Sequence, residues 1–123
     1  MSESIEITPE ARRIAEQNDQ FRNNIVNGGP AGTPQGRVVV TRAVAAMGAA
    51  FHIATARAVA ADSTFSEDND PDGDHSFGAV TIAGRKVWWK IDLYDLAYEW
   101  GSEAPDDATK TRRVLTIMFP SDY

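Results

Sequence analysis

The stretch from Phe77 to Tyr94 constrains this chain more than any other. Phe77–Ile82 and Arg85–Tyr94 are rich in β-branched and aromatic residues, and Ala83-Gly84 between them is the length of a tight hairpin turn. Along the second arm Val87, Trp89, Ile91 and Leu93 fall on one face, while Trp88, Lys90 and Asp92 fall on the other. The arrangement predicts one face built for a core and another for solvent or a partner.

The remaining elements follow from local signals. Thr8-Pro9-Glu10 starts a helix, with Thr8 as cap, Pro9 at the first helical position and Glu10 at the positive end. It runs to about Asn23. Its apolar side is thin (Ile14, Phe21 and Ile25, with Ala11 and Ala15), which predicts a helix on the surface and not a central one. Residues 27–36 hold four glycines and two prolines and read as a mobile loop. Val38–Thr41 reads as a strand. A second helix is expected from about Ala49 through the alanine-rich run to Ala61, and Ala43–Met47 fits either strand or helix. Arg113–Phe119 is the last strand, with Leu115, Ile117 and Phe119 on one side, and Pro120 ends it. Together these predict an α+β fold: a small antiparallel sheet of three or four strands with two helices packed on one face. Residues 1–123 form one domain, of which 1–7 are expected to be flexible.

Composition narrows the classes of function. The chain has 123 residues and no cysteine, so disulfides, thiolate metal sites and a cysteine nucleophile are excluded. No run approaches the ~18 apolar residues of a membrane helix, and the acidic, polar start does not read as a signal peptide. A cytoplasmic location is expected. The net charge is −6 and is unevenly placed: residues 1–61 carry six arginines against five acids, residues 62–123 six Lys/Arg against thirteen acids. Such an acidic second half disfavours nucleic acid and membrane phosphates and favours a basic protein surface, or else serves solubility.

The densest cluster is Glu67-Asp68-Asn69-Asp70-Pro71-Asp72-Gly73-Asp74-His75. Asp68, Asp70, Asp72 and Gly73 fit the first half of a calcium loop, but the position that requires a bidentate glutamate is Ala79. An Asx-turn-rich loop explains the same residues. No bound metal and no cofactor are expected. His75 beside a carboxylate suits general acid–base chemistry, yet Ser76 points to the opposite face, so the two are not a dyad. Gly28, Gly29 and Gly32 lack the preceding strand and following lysine of a phosphate-binding loop. Trp88, beside Lys90 and Asp92, is expected either to stack on a partner or to lie under a helix. Arg112 and Arg113 are expected to pair with nearby acids such as Asp92 or Asp95.

Three stretches together resemble a known family. They are Asp68-Asn69-Asp70-Pro71 through His75-Ser76-Phe77-Gly78, Trp89-Lys90-Ile91-Asp92-Leu93-Tyr94-Asp95, and Thr111-Arg112-Arg113-Val114-Leu115-Thr116-Ile117-Met118. With Asn18-Asp19-Gln20-Phe21-Arg22 they resemble a functionally uncharacterised family of small bacterial proteins found on proteobacterial plasmids, integrative elements and phages. That family reads Glu-His-Asp where this chain has Asp74, His75 and Ser76, and tends to an aromatic where it has Asp72. The resemblance supplies no reaction. It implies a mobile-element accessory protein, for which inhibition of host defence, as in anti-CRISPR proteins, is the expected form. The expected interface is Glu67, Asp68, Asp70, Asp72, Asp74, Trp88, Asp106 and Asp107, acting on a basic protein surface such as a nucleic-acid-binding defence complex, without direct nucleic-acid contact. The alternative is a small hydrolase-like or metal-dependent enzyme centred on the Asp68–His75 loop.

Overall fold

The structure is a computed structural model that describes residues 7–123; of the segment expected to be flexible, residues 1–6 lie outside the described residues. Helix α1 (Pro9–Asn23) begins as the sequence predicts, with Thr8 Oγ1 accepting from Ala11 N–H at 3.0 Å. Strand β1 (Gly36–Val40) leads into a one-turn helix α2 (Arg42–Ala45), then helix α3 (Ala49–Ala61). The ambiguous 43–47 segment is therefore mostly helical, and Gly48, at φ +90°, separates α2 from α3. Strands β2 (Phe77–Ile82) and β3 (Arg85–Tyr94) form the expected hairpin, with Val80 opposite Val87. Strand β4 (Arg112–Met118) pairs antiparallel with β3, and a 3-10 turn (Pro120–Asp122) follows. No helix among the described residues is long and apolar enough to cross a membrane.

The sheet order is β1-β4-β3-β2. Two of its pairings are antiparallel, but β1 runs parallel to β4, with Val38 beside Leu115. The expected antiparallel sheet is thus a mixed one, and three helices, not two, pack on it. Phe21 of α1, Val44 of α2, and Phe51 and Val59 of α3 share one core with Val87, Trp89, Ile91, Leu115 and Ile117, so all three helices lie on the same face. The predicted inward set of β3 and β4 is buried except for Leu93, which is half-buried, and Trp89 is fully enclosed. Helix α1 lies at the surface as predicted, with Ile14, Ala15 and Phe21 turned inward, but Asn18 and Arg22 are buried with them. Its core-facing stripe includes two polar residues, which a search for apolar periodicity passes over.

Candidate functional site

The acidic loop leaves α3 at Asp62 and reaches β2 at Phe77. Its start is fixed from the core. Asp62 Oδ2 accepts from the Trp89 indole N–H at 2.9 Å, and Oδ1 accepts from the backbone N–H and hydroxyl of Thr64 at 3.0 and 2.6 Å. Burial is the largest single influence on Asp62 and opposes its ionisation. The hydrogen bonds from Thr64 and Trp89, with the charge of Arg22, together outweigh it and hold the carboxyl below the usual range. Further along, Asn69 accepts from Ser66 N–H and donates to Thr64 O, and Asp70 N–H donates to Ser66 O. The loop is closed upon itself by the Asx-type bonds its composition predicts.

His75 is the loop's anchor. Its backbone sits at φ +55°, a left-handed conformation that a residue with a side chain adopts at a cost of about 1–2 kcal/mol. Four neighbours hold it there. The imidazole stacks on Phe65 with centroids 3.9 Å apart and planes 2° from parallel. Nδ1 meets the Asp19 carboxylate at 2.9 Å, Nε2 faces Asp70 Oδ2 at 3.6 Å, and the His75 backbone N–H donates to Asp70 Oδ1 at 3.0 Å. On α1, Asn18 Nδ2 donates to the carbonyl of Asp74 at 2.9 Å and to that of His75 at 3.4 Å. The Asp70 side chain is only 7% exposed. Burial pushes its carboxyl up; the backbone N–H and charge of His75 pull the other way, while Asp74 and Asp19 add to the rise.

Two arginines connect this anchor to the core. Arg22 reaches Asp19 Oδ1 at 3.0 Å, donates to Val59 O at 2.6 Å, and lies 4.7 Å from the Trp89 ring centroid. Arg113 does not pair with Asp92 or Asp95, as local sequence suggested. It lies on the inward face of β4, fully buried, donating through Nε to Asn18 Oδ1 at 2.7 Å and through NH2 to Gln17 Oε1 at 2.9 Å. Burial without a carboxylate lowers its pKa to about 10. Arg112 donates to the carbonyl of Thr111 at 3.4 Å, and among the described residues it forms no ion pair with Asp92, Asp95 or another acid.

The predicted interface residues separate into three groups. Glu67, Asp68 and Asp72 are exposed, and none of them forms an ion pair among the described residues. Asp70 is turned inward, and Asp74 accepts from Ser76 Oγ at 2.8 Å, so these two hold the loop together. Asp106 and Asp107 lie on a second acidic segment: Asp106 binds Arg13 at 2.6 Å and its carbonyl accepts from Gln17, while Asp107 caps Thr109. Helix α1 therefore fixes both acidic segments, through Asn18 and through Arg13 and Gln17. Trp88 is apart from all of these, on the sheet face opposite the three α-helices, between Phe77 and Tyr123. Among the described residues no three His, Asp or Glu side chains converge in a way that could hold a metal ion.

Asp19, Asn18, Arg22, Asp62 and Phe65 were not singled out as site residues. Asp19 and His75 are 56 positions apart, and only the Asn18–Arg22 motif hinted at a role for the helix. Residues 40–122 match the family model described as a protein of unknown function (DUF3768), and the chain belongs to that family. No curated protein and no protein of solved structure matches the chain.

Proposed function

We propose that this protein works by binding a cationic protein surface through the acidic loop between α3 and β2. The observation that carries the reading is the division of labour within the loop. Asp62, Asp70 and Asp74 accept internal hydrogen bonds, and His75 is clamped from four sides, so Glu67, Asp68 and Asp72 project from an ordered frame. Carboxylates held in this way lose little conformational freedom on docking. Their mutual repulsion is relieved when a cationic surface arrives, and their field speeds the encounter. The mobile-element setting implied by the resemblance gives the proposal its biological form: a small accessory inhibitor that occupies a cationic, nucleic-acid-binding channel of a defence complex. Affinity capture from a bacterial lysate tests it. The parent should retain a basic protein that salt releases and that a Glu67→Gln/Asp68→Asn/Asp72→Asn variant fails to retain. Equal retention by both proteins, or retention of no basic protein, counts against the reading.

A second reading, a small hydrolase-like enzyme centred on the Asp68–His75 loop, draws on one observation. Asp19 holds His75 Nδ1 in the way a carboxylate orients a general base. The neighbouring hydroxyl does not complete it, because Ser76 Oγ donates to Asp74 and the other imidazole nitrogen faces Asp70. The binding reading uses every group of the loop; this one leaves Glu67, Asp68 and Asp72 without a task.

A further inference from the structure

The sheet face turned away from the helices has a chemistry unlike the rest of the chain. The register places Lys86 and Lys90 of β3, Arg112 of β4 and Arg37 of β1 on it. Asp92 is the acid among its strand positions. Among the strand positions of this face, four Lys and Arg therefore stand against one Asp. Between the cations stand three aromatic residues, Phe77, Trp88 and Tyr94, all partly exposed. Phe77 and Trp88 meet edge-on at 5.4 Å, and the C-terminal Tyr123 approaches Trp88 at 6.0 Å. All three helices are on the other side, as is the acidic loop held by Asn18 of α1.

We propose that this open face binds single-stranded RNA. Cations distributed over three strands suit a run of phosphates, and partly exposed rings between them suit unpaired bases, which stack on any aromatic surface. A duplex would keep its base faces hidden from those rings. An acidic peptide would satisfy the cations but give the aromatic residues nothing to do. The ribose is addressed by Asp92 and Thr116, which lie on the same face. Asp92 binds Lys90 through Oδ2 at 2.8 Å, is 43% exposed, and has its other oxygen available to accept from a 2′-hydroxyl. The net charge of the chain opposes nucleic-acid binding as a whole. The carboxylates responsible are concentrated in the loops, and screening over about 8 Å at physiological ionic strength makes the local face decisive.

Fluorescence anisotropy with a short labelled oligouridylate, from physiological ionic strength upward, tests this. The RNA strand should bind, and it should bind more tightly than an oligothymidylate of equal length or an RNA duplex. Trp88→Ala should weaken binding about ten-fold, the effect of losing one stacked base. Lys86→Ala with Lys90→Ala should reduce the slope of log affinity against log salt by about 1.4, at ~0.7 per phosphate contact. The lysine variant alters only side chains at the surface, so it keeps the test decisive if Trp88→Ala proves unfolded by circular dichroism. Absence of binding overturns the proposal. So does equal affinity for the DNA strand, displacement by polyglutamate of matched charge, or an unaltered salt slope in the lysine variant.

Discussion

Asn18 joins Arg113 to the acidic loop: its Oδ1 accepts from Arg113 Nε at 2.7 Å and its Nδ2 donates to the Asp74 carbonyl at 2.9 Å. One buried amide thus partners a buried cation on β4 and fixes a loop that carries the exposed carboxylates. Replacing it should be felt in both places. Asn18→Leu leaves the Arg113 donor and two loop carbonyls without that partner, and buried groups left unpaired cost about 1–3 kcal/mol each. Urea unfolding should show a loss of about 3 kcal/mol. In the native state, amide exchange should rise across residues 70–76.

Gly78 is needed for a different reason. A Cβ at this position would stand 2.5 Å from Trp89 Nε1 and 2.6 Å from Asp62 Oδ2, inside the hydrogen bond that starts the loop. Gly78→Ala should therefore destabilise by about 1–3 kcal/mol, the range of overpacked cores. Tryptophan fluorescence should report a changed Trp89 environment in whatever fraction remains folded.

Two buried carboxylates should respond to acid in opposite senses. The Asp62 carboxyl is lowered in the folded state, so its stabilising contribution is present above the unfolded value, near 3.9, and is lost as pH falls through the folded one. The Asp70 carboxyl is raised, so its contribution is present below ~3.9 and is lost as pH rises through the folded value. Urea midpoints measured from pH 3 to 7 should show the advantage of the parent over Asp62→Asn shrinking with acid. Relative to Asp70→Asn, the parent should instead gain as the pH falls.

The hairpin was legible because it is local. The bounds of β2 and β3 follow from alternation and a two-residue turn, and Trp89 falls inward by the same count. The parallel pairing of β1 with β4 was not, since Val38 and Leu115 meet across most of the chain and no local signal sets their direction. On helix α1 the inward Ile14, Ala15 and Phe21 were legible, but Asn18 and Arg22 were not, since a polar core residue breaks the apolar period that locates a face. The acidic loop was found from composition alone, but composition could not tell Asp70 and Asp74, which hold the loop, from Glu67, Asp68 and Asp72, which project from it. A net charge counted over the whole sequence also concealed the basic face of the sheet, because strand alternation sorts charges to faces that a linear count adds together.

The proposed binding surface is Glu67, Asp68 and Asp72. Its most direct test is the salt dependence of association between the protein and a purified basic partner obtained by affinity capture, measured by stopped flow for the parent and for Glu67→Gln/Asp68→Asn/Asp72→Asn. The parent's association rate should fall steeply with salt, and the variant should associate about ten-fold more slowly at low ionic strength, with a nearly flat salt dependence and an unchanged melting temperature. A variant that associates as fast as the parent, with the same salt slope, contradicts the proposal.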